Sequence, residues 1–310
     1  MKIFAPIRTG FYRSLRSWKG VLIIWFFSLI LVAILAIPLR GALKSSFGSS
    51  MITGKLAEGF NIEVFSDLGP ALKSIMSFIT SGFMFLMLMG FLMHIFLAGG
   101  LFNSLKKETV KFSSSEFFRT SAKNFWSFLV ITVAVRIIIN FISGLLILIP
   151  LVFLGLSREV SEKTIFLILI AGSILFLILM PLFLLVADFA RAWQVNNEKL
   201  SCFKALGFGI RQTFRKFWSS YPLMLIMLLI QGLFLSIAFS AIPSWRPVTG
   251  GGVFLLLIVS QLFIYIRLLL KAWRYAGVTS LMERLSAEAN GNYYVNLINT
   301  NDNPIINTHE

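Results

Sequence analysis

The sequence predicts an all-α polytopic membrane protein: six transmembrane helices forming three helical hairpins, each hairpin preceded by an interfacial amphipathic helix. Three observations predict it. Of the 310 residues, 57% are hydrophobic and 13% charged, and the apolar residues gather in six long runs. Lysine and arginine are spread unevenly around those runs. A basic, aromatic segment recurs directly before three of them, most clearly at 197–218.

A spanning helix needs about 20 apolar residues. The first run is 20–39, ended by Pro38 and Arg40. It is too long for the apolar region of a signal peptide, about 7–15 residues, so an uncleaved first span is expected. The second lies within 74–105, which contains no Asp, Glu, Lys or Arg. At about 1.5 Å per residue that segment exceeds a hydrocarbon core of about 30 Å, so it tilts or projects. The third is about 125–150 and holds Arg136; the fourth is about 164–187, with a kink expected at Pro181. The fifth is about 221–243, with Pro222 suited to its first turn, and the sixth is about 252–270. Of the connecting segments, 41–73 has the length for a short helix.

Positively charged residues favour the cytoplasmic side of a membrane. The segments before spans 1, 3 and 5 and after span 6 hold 20 of the 28 Lys and Arg residues, and the opposite loops hold seven. Arg136, inside span 3, is the last. Both termini are therefore expected in the cytoplasm. In a soluble chain a net charge of +15 would suggest nucleic acid. Here the basic residues flank apolar runs, so the expected partners are anionic membrane lipids or a membrane protein partner, and no nucleic acid.

The repeated segment defines three units, about 1–105, 106–193 and 194–284, followed by a polar, Asn-rich tail at 285–310 read as disordered. Apolar positions Phe203, Leu206, Ile210, Phe214 and Phe217 make one helical face. They match Phe4, Ile7, Phe11, Leu15 and Trp18 at an offset of 199, as Gly209 matches Gly10 and Arg215 matches Arg16. At an offset of 107, Phe118, Ala122, Lys123 and Phe125 match Phe11, Leu15, Arg16 and Trp18. The middle segment matches only in its second half, so a shorter helix is expected there, with Ser113 and Glu116 placed for a capping box. Such helices bury an apolar face about 5–10 Å into the headgroup boundary while Lys and Arg face anionic lipid. Lys123, Lys204, Arg211, Arg215 and Arg16 belong to this candidate lipid or partner surface. Arg267, Lys271 and Arg274, an i, i+4, i+7 stripe at the end of span 6, are assigned to it as well, with Arg191 and Trp193 at the matching end of span 4.

The segment 190–218, ARAWQVNNEKLSCFKALGFGIRQTFRKFW, joins a span end, a polar turn, Phe-x-Ala-Leu and a basic-aromatic run before the next span. EFFRTSAKNFWSFLVI, from Glu116, is a weaker echo. This pattern resembles the polytopic membrane domain fused to bacterial glycerophosphodiester phosphodiesterases, and its stand-alone relatives of unknown function. The resemblance implies a multi-pass protein of the bacterial cytoplasmic (inner) membrane. It implies no activity, because the phosphodiesterase chemistry resides in a soluble domain.

No catalytic or cofactor pattern is found. Metal sites need clustered His, Cys or carboxylates, and the chain has His94, His309 and one cysteine, Cys202, set apart from each other. Gly250-Gly251-Gly252 is not followed by the Lys-Ser/Thr of a phosphate-binding loop. The expectation is no enzyme, no cofactor and no metal. More informative are polar groups at membrane depth. Arg136 is roughly 15 Å along its span from Trp126, Asn140 lies one turn later, and His94, Gln231 and Gln261 are similarly deep. A buried cation in the bilayer costs about 2.5–3.5 kcal/mol on insertion scales, so Arg136 needs a partner. Two readings stand: it pairs with Asp188 near the end of span 4, or it faces a cavity and an anionic ligand. Two function classes follow. One is a non-enzymatic interaction or scaffold protein acting through its basic helices; the other is a transporter or lipid-handling protein with a midplane polar cavity around Arg136.

Overall fold

A computed structural model describes residues 4–47, 69–106, 111–156, 161–198, 200–245 and 249–301, and these are helical apart from short connections, with no strand among them. The order is α1 (Phe4–Arg16), α2 (Trp18–Phe47), α3 (Gly69–Ser104), α4 (Ser114–Ser143), a π-helical turn (Gly144–Leu148), α5 (Ile149–Leu156), α6 (Glu162–Asn196), α7 (Cys202–Arg215), α8 (Phe217–Ser244) and α9 (Gly250–Asn301). The short helix expected within 41–73 falls largely outside the described residues.

Among the described residues six helical segments are long and apolar enough to cross a membrane: Trp18–Pro38, Ser77–Ser104, Ser114–Phe153, Glu162–Asn196, Phe217–Ile242 and Gly250–Ala287. The chain is thus a multi-pass membrane protein. The helices overrun the expected spans. α2 continues past Pro38, α6 runs nine residues beyond 187, and α9 continues past 270 to Asn301, through part of the tail read as disordered. Composition marks where apolar sequence ends, whereas a helix ends where its backbone bonds are interrupted, and no proline follows Pro247 until Pro304. Pro181 stands inside α6, and the Tyr221 hydroxyl on α8 donates to the nearby Ile178 carbonyl (3.0 Å).

Successive spans pack together, α2 on α3, α4 on α6 and α8 on α9, and α9 also reaches α2 and α6. The core lies at one end of the bundle, where the basic segments gather. Phe102, Leu105, Phe117, Phe128, Leu185, Phe189, Leu223, Met224 and Ala276 are buried there, while the opposite halves of α3, α4, α6 and α9 are largely uncovered by protein. Side chains that face lipid need no protein cover, so apolar exposure on those halves is consistent with membrane burial.

α1 and α7 are separate helices that use the same face in the same way. In α1 the buried positions include Pro6, Gly10 and Ser14; in α7 they are Ala205, Gly209 and Thr213, the same positions at the offset of 199. Small residues let backbones approach closely. α1 lies on α9, where a Cβ on Gly10 would come 2.6 Å from the Gly277 nitrogen. α7 lies on α6, where a Cβ on Gly209 would come 2.5 Å from the Val186 carbonyl. Arg13 ties α1 down further through Glu283 (2.7 Å) and the Leu105 carbonyl (3.3 Å). The larger apolar residues, Phe4 and Leu15 on α1 and Phe203, Ile210 and Phe214 on α7, are exposed, while Phe11 sets its ring edge-on against Trp273 of α9 (5.1 Å).

The middle unit differs from expectation. It has no separate amphipathic helix, because α4 runs unbroken from Ser114 to Ser143. The chain turns at Ser17 and at Lys216, but at the matching Asn124 the side chain donates to the Thr120 carbonyl (3.1 Å) and the helix continues. The first turns of α4 pack on α3, with Gly99 and Gly100 against Ser121 and Phe117, and the Gly100 N–H donates to Ser121 Oγ (3.0 Å). Nor does the Ser113–Glu116 capping box form. Glu116 turns to Arg119 (2.6 Å) instead, and Ser113 makes no side-chain cap.

Gly209→Ala is expected to destabilise the purified protein by about 1–3 kcal/mol, the scale of overpacking. Gly207→Ala, where a Cβ meets nothing within 4 Å, should instead stabilise α7 by up to about 1 kcal/mol through helix propensity. Thermal unfolding of the two variants in detergent checks the opposite signs.

Candidate functional site: a cationic cavity between the spans

Just beyond the packed end, α2, α3, α4, α6, α8 and α9 surround a cavity of about 680 Å³. Its floor is aromatic. Tyr275 and Phe91 line it, and behind them Tyr275 stacks on Phe102 (4.6 Å between ring centres), which meets Phe128 edge-on (5.8 Å). His94, Leu184 and Lys271 all line the cavity, and each stands six residues before a small residue, Gly100, Ala190 or Gly277, that receives an amphipathic segment.

Five cations border this space: Arg136 from α4, Arg191 from α6, and Arg267, Lys271 and Arg274 from α9. His94, Thr132, Gln231 and Ser28 add polar atoms. Among the described residues one carboxylate pairs with two of them. Asp188, with a fully buried side chain, holds Arg191 (Nη1 to Oδ1, 3.1 Å) and Arg274 (Nε to Oδ2, 3.1 Å). The Arg274 contact is an ion pair without an aligned hydrogen bond, since neither atom has a well-directed partner. Arg191 also donates to Thr132 Oγ1 (2.9 Å). Asp188 therefore joins three spans, α4 through Thr132, α6 and α9. Arg136, Arg267 and Lys271 make no ion pair among the described residues. Lys271 Nζ contacts His94 Nε2 and lies near the Tyr275 ring (5.8 Å).

Of the residues singled out from sequence, Arg136, His94 and Gln231 do meet in one cavity, and Asp188 stands directly behind it. The pairing of Arg136 with Asp188 does not form. Asp188 is occupied by Arg191, one turn away on its own helix, and by Arg274. Asn140 is exposed and Gln261 half-buried, and neither lines the cavity. Arg267, Lys271 and Arg274 leave the surface to which they were assigned. Their shared helix face lines the cavity, with Arg274 buried, Lys271 half-buried and Arg267 exposed. Arg16, by contrast, is exposed and donates to the Lys106 carbonyl (3.0 Å); Lys123 pairs with Glu198; Lys204, Arg211 and Arg215 are exposed.

Arg191, assigned from sequence to the interfacial surface, lines the cavity as well, and Thr132 and Ser28 are members the sequence reading does not single out. The spacing Asp188-x-x-Arg191 is a helical i, i+3 pair and marks Arg191. Nothing local marks Thr132. Among the described residues no group of three or more His, Cys, Asp or Glu side chains is placed to hold a metal. No protein-family model, curated protein or solved structure matches the chain.

Proposed function

We propose that this protein binds an anionic ligand, bearing a phosphate or similar oxyanion, in the cavity between its spans, and acts by moving or holding that ligand within the membrane without covalent chemistry. One observation carries the reading: five cations converge on one space, and among the described residues a single carboxylate pairs with two of them. An intramembrane cation without a partner is costly, and groups left unpaired in a low-dielectric cavity attract an opposite charge strongly. An oxyanion seated among Arg136, Arg267 and Lys271 satisfies three cations at once, and the forked guanidinium groups suit its geometry.

The test is equilibrium binding of inorganic phosphate to the full chain in detergent and in nanodiscs. The native protein should bind, and Arg136→Gln should weaken binding by about tenfold or more, the worth of a hydrogen bond to a charged group. Absence of binding to the native chain, or binding indifferent to Arg136→Gln, sinks the reading.

A second reading concerns the basic end and has its own support. The faces of α1 and α7 that carry large apolar side chains are left uncovered, with Arg16, Lys204, Arg211 and Arg215 exposed beside them. We place these helices in the headgroup layer of an anionic leaflet, with both termini on that cytoplasmic side and the three units arranged as hairpins around the cavity.

A further inference from the structure

A second, apolar recess of about 240 Å³ opens between α2 and α3. Ile24, Phe27 and Leu31 form one wall, and Leu86, Met93 and Leu97 the other. Its two polar members, Ser28 and His94, also line the cationic cavity, so the recess and the cavity meet at these side chains. The two helices touch again farther along, where a Cβ on Gly82 would strike Leu35. Between that contact and the packed core the pair is parted. Gly90 stands in the gap, and a Cβ there would meet nothing within 4 Å.

The geometry points to an anionic lipid as the ligand, its phosphate among the cavity cations and an acyl chain lying in the α2–α3 recess. The inference rests on the reading that the cavity holds an oxyanion and adds which oxyanion it is. Its support is the continuity of two chemically different spaces. Strong positive charge at Lys271, Arg136 and Arg267 suits a phosphate; apolar side chains directly beyond His94 suit a hydrocarbon chain and offer nothing to a free, fully hydrated anion. The recess lies between spans, so a lipid enters sideways from the bilayer. Its headgroup then passes Ser28 and His94 while its chain stays in an apolar medium throughout. A chain moving from bilayer to recess gains little hydrophobic energy, because both are apolar. Affinity therefore comes from the headgroup, and the recess decides which headgroups arrive with their chains attached.

Gly90→Phe and Val32→Trp fill the recess from opposite helices, and both positions lie on its lining, away from the cavity cations. Retention of phosphatidic acid is measured by native mass spectrometry of the full chain taken from vesicles of zwitterionic lipid doped with phosphatidic acid. Binding of inorganic phosphate is measured in parallel, with thermal unfolding as the check that each variant is folded. In a folded variant, phosphatidic acid retention should fall about tenfold or more, the scale of a steric overpack, while inorganic phosphate binding stays within about twofold. If either variant does not fold, the other decides. Retention of phosphatidic acid that both folded variants leave unchanged, with phosphate binding still dependent on Arg136, overturns the lipid and leaves a soluble anion in the cavity. Failure of the native chain to bind either anion overturns the cavity reading together with this one.

Discussion

Asp188→Asn is expected to be the most damaging single substitution in the molecule. The change is nearly isosteric, so no cavity forms and no clash arises; what is lost is one negative charge with a fully buried side chain. Arg274 and Arg191, themselves little exposed, would then face each other without a counterion. Removing one partner of a buried ion pair costs about 3–5 kcal/mol, because the remaining charge has no solvent to return to. Since Asp188 links α6 to α9 directly and to α4 through Arg191 and Thr132, the loss should appear as weakened association of three spans. Thermal unfolding in detergent should show a large drop and a low folded yield. Asp188→Asn combined with Arg274→Met should recover much of it, since an ion pair replaced by apolar groups of similar volume is often neutral or stabilising. Any folded Asp188→Asn protein has one more unbalanced positive charge at the cavity, so it should bind inorganic phosphate more tightly, not less. A stability within error of the native protein would show that the buried carboxylate holds nothing together.

This substitution also marks where the sequence stops being informative. The spans are legible because apolar composition is a local property, and the docking of α1 and α7 is legible in outline because Gly10 and Gly209 recur at the same offset as the apolar rows. The partner of Asp188 is a different kind of fact. Arg191 lies three residues away, but Arg274 lies on another span, and no periodicity connects 188 with 274. Arg136 is the more conspicuous candidate, being alone in an apolar run, and for that reason sequence favours an intramembrane Arg–Asp pair. It fails because each Asp188 oxygen already has a guanidinium. The stripe Arg267, Lys271, Arg274 shows a related limit. Its i, i+4, i+7 spacing identifies a shared helix face, yet the face becomes a surface or an interior only through what packs around it. With α2, α3, α4, α6 and α8 around it, the same stripe lines a cavity. Asn140 and Gln261 are at the right depth but not on the cavity lining, because depth fixes position along a helix and leaves rotation about its axis to packing.

Reversing Lys204, Arg211 and Arg215 on α7 to Glu is expected to have the second largest effect, on lipid preference and not on folding. The helix is docked by Ala205, Gly209 and Thr213, none of which changes, so the fold and membrane insertion should survive. The opposite face is unusual for a water-exposed helix: Phe203 is 73% exposed, Phe214 60%, and Trp218, just beyond the turn, 85%. Placed in a headgroup layer, these side chains enter the acyl boundary and the three cations meet anionic headgroups. Each such cation contributes about 1 kcal/mol of attraction to an anionic surface, so losing three lowers the preference for anionic over zwitterionic lipid by about two orders of magnitude. The three new carboxylates add repulsion to that loss. Lipid retention by the full chain from mixed vesicles, followed by native mass spectrometry and counted beyond the lipid that a Gly90→Phe chain no longer holds, reads the preference at the surface. Salt supplies an internal control. Raising ionic strength from about 0.1 M to 1 M shortens the screening length from about 10 Å to 3 Å, so the native protein should drift toward the variant while the variant barely moves. Inorganic phosphate binding should be the same in both, because Lys204, Arg211 and Arg215 do not line the cavity. Unchanged anionic lipid retention in the variant would make α7 a connector between spans and remove the membrane surface as its partner, whereas a parallel loss of phosphate binding would mean that the surface and the cavity form a single charged path.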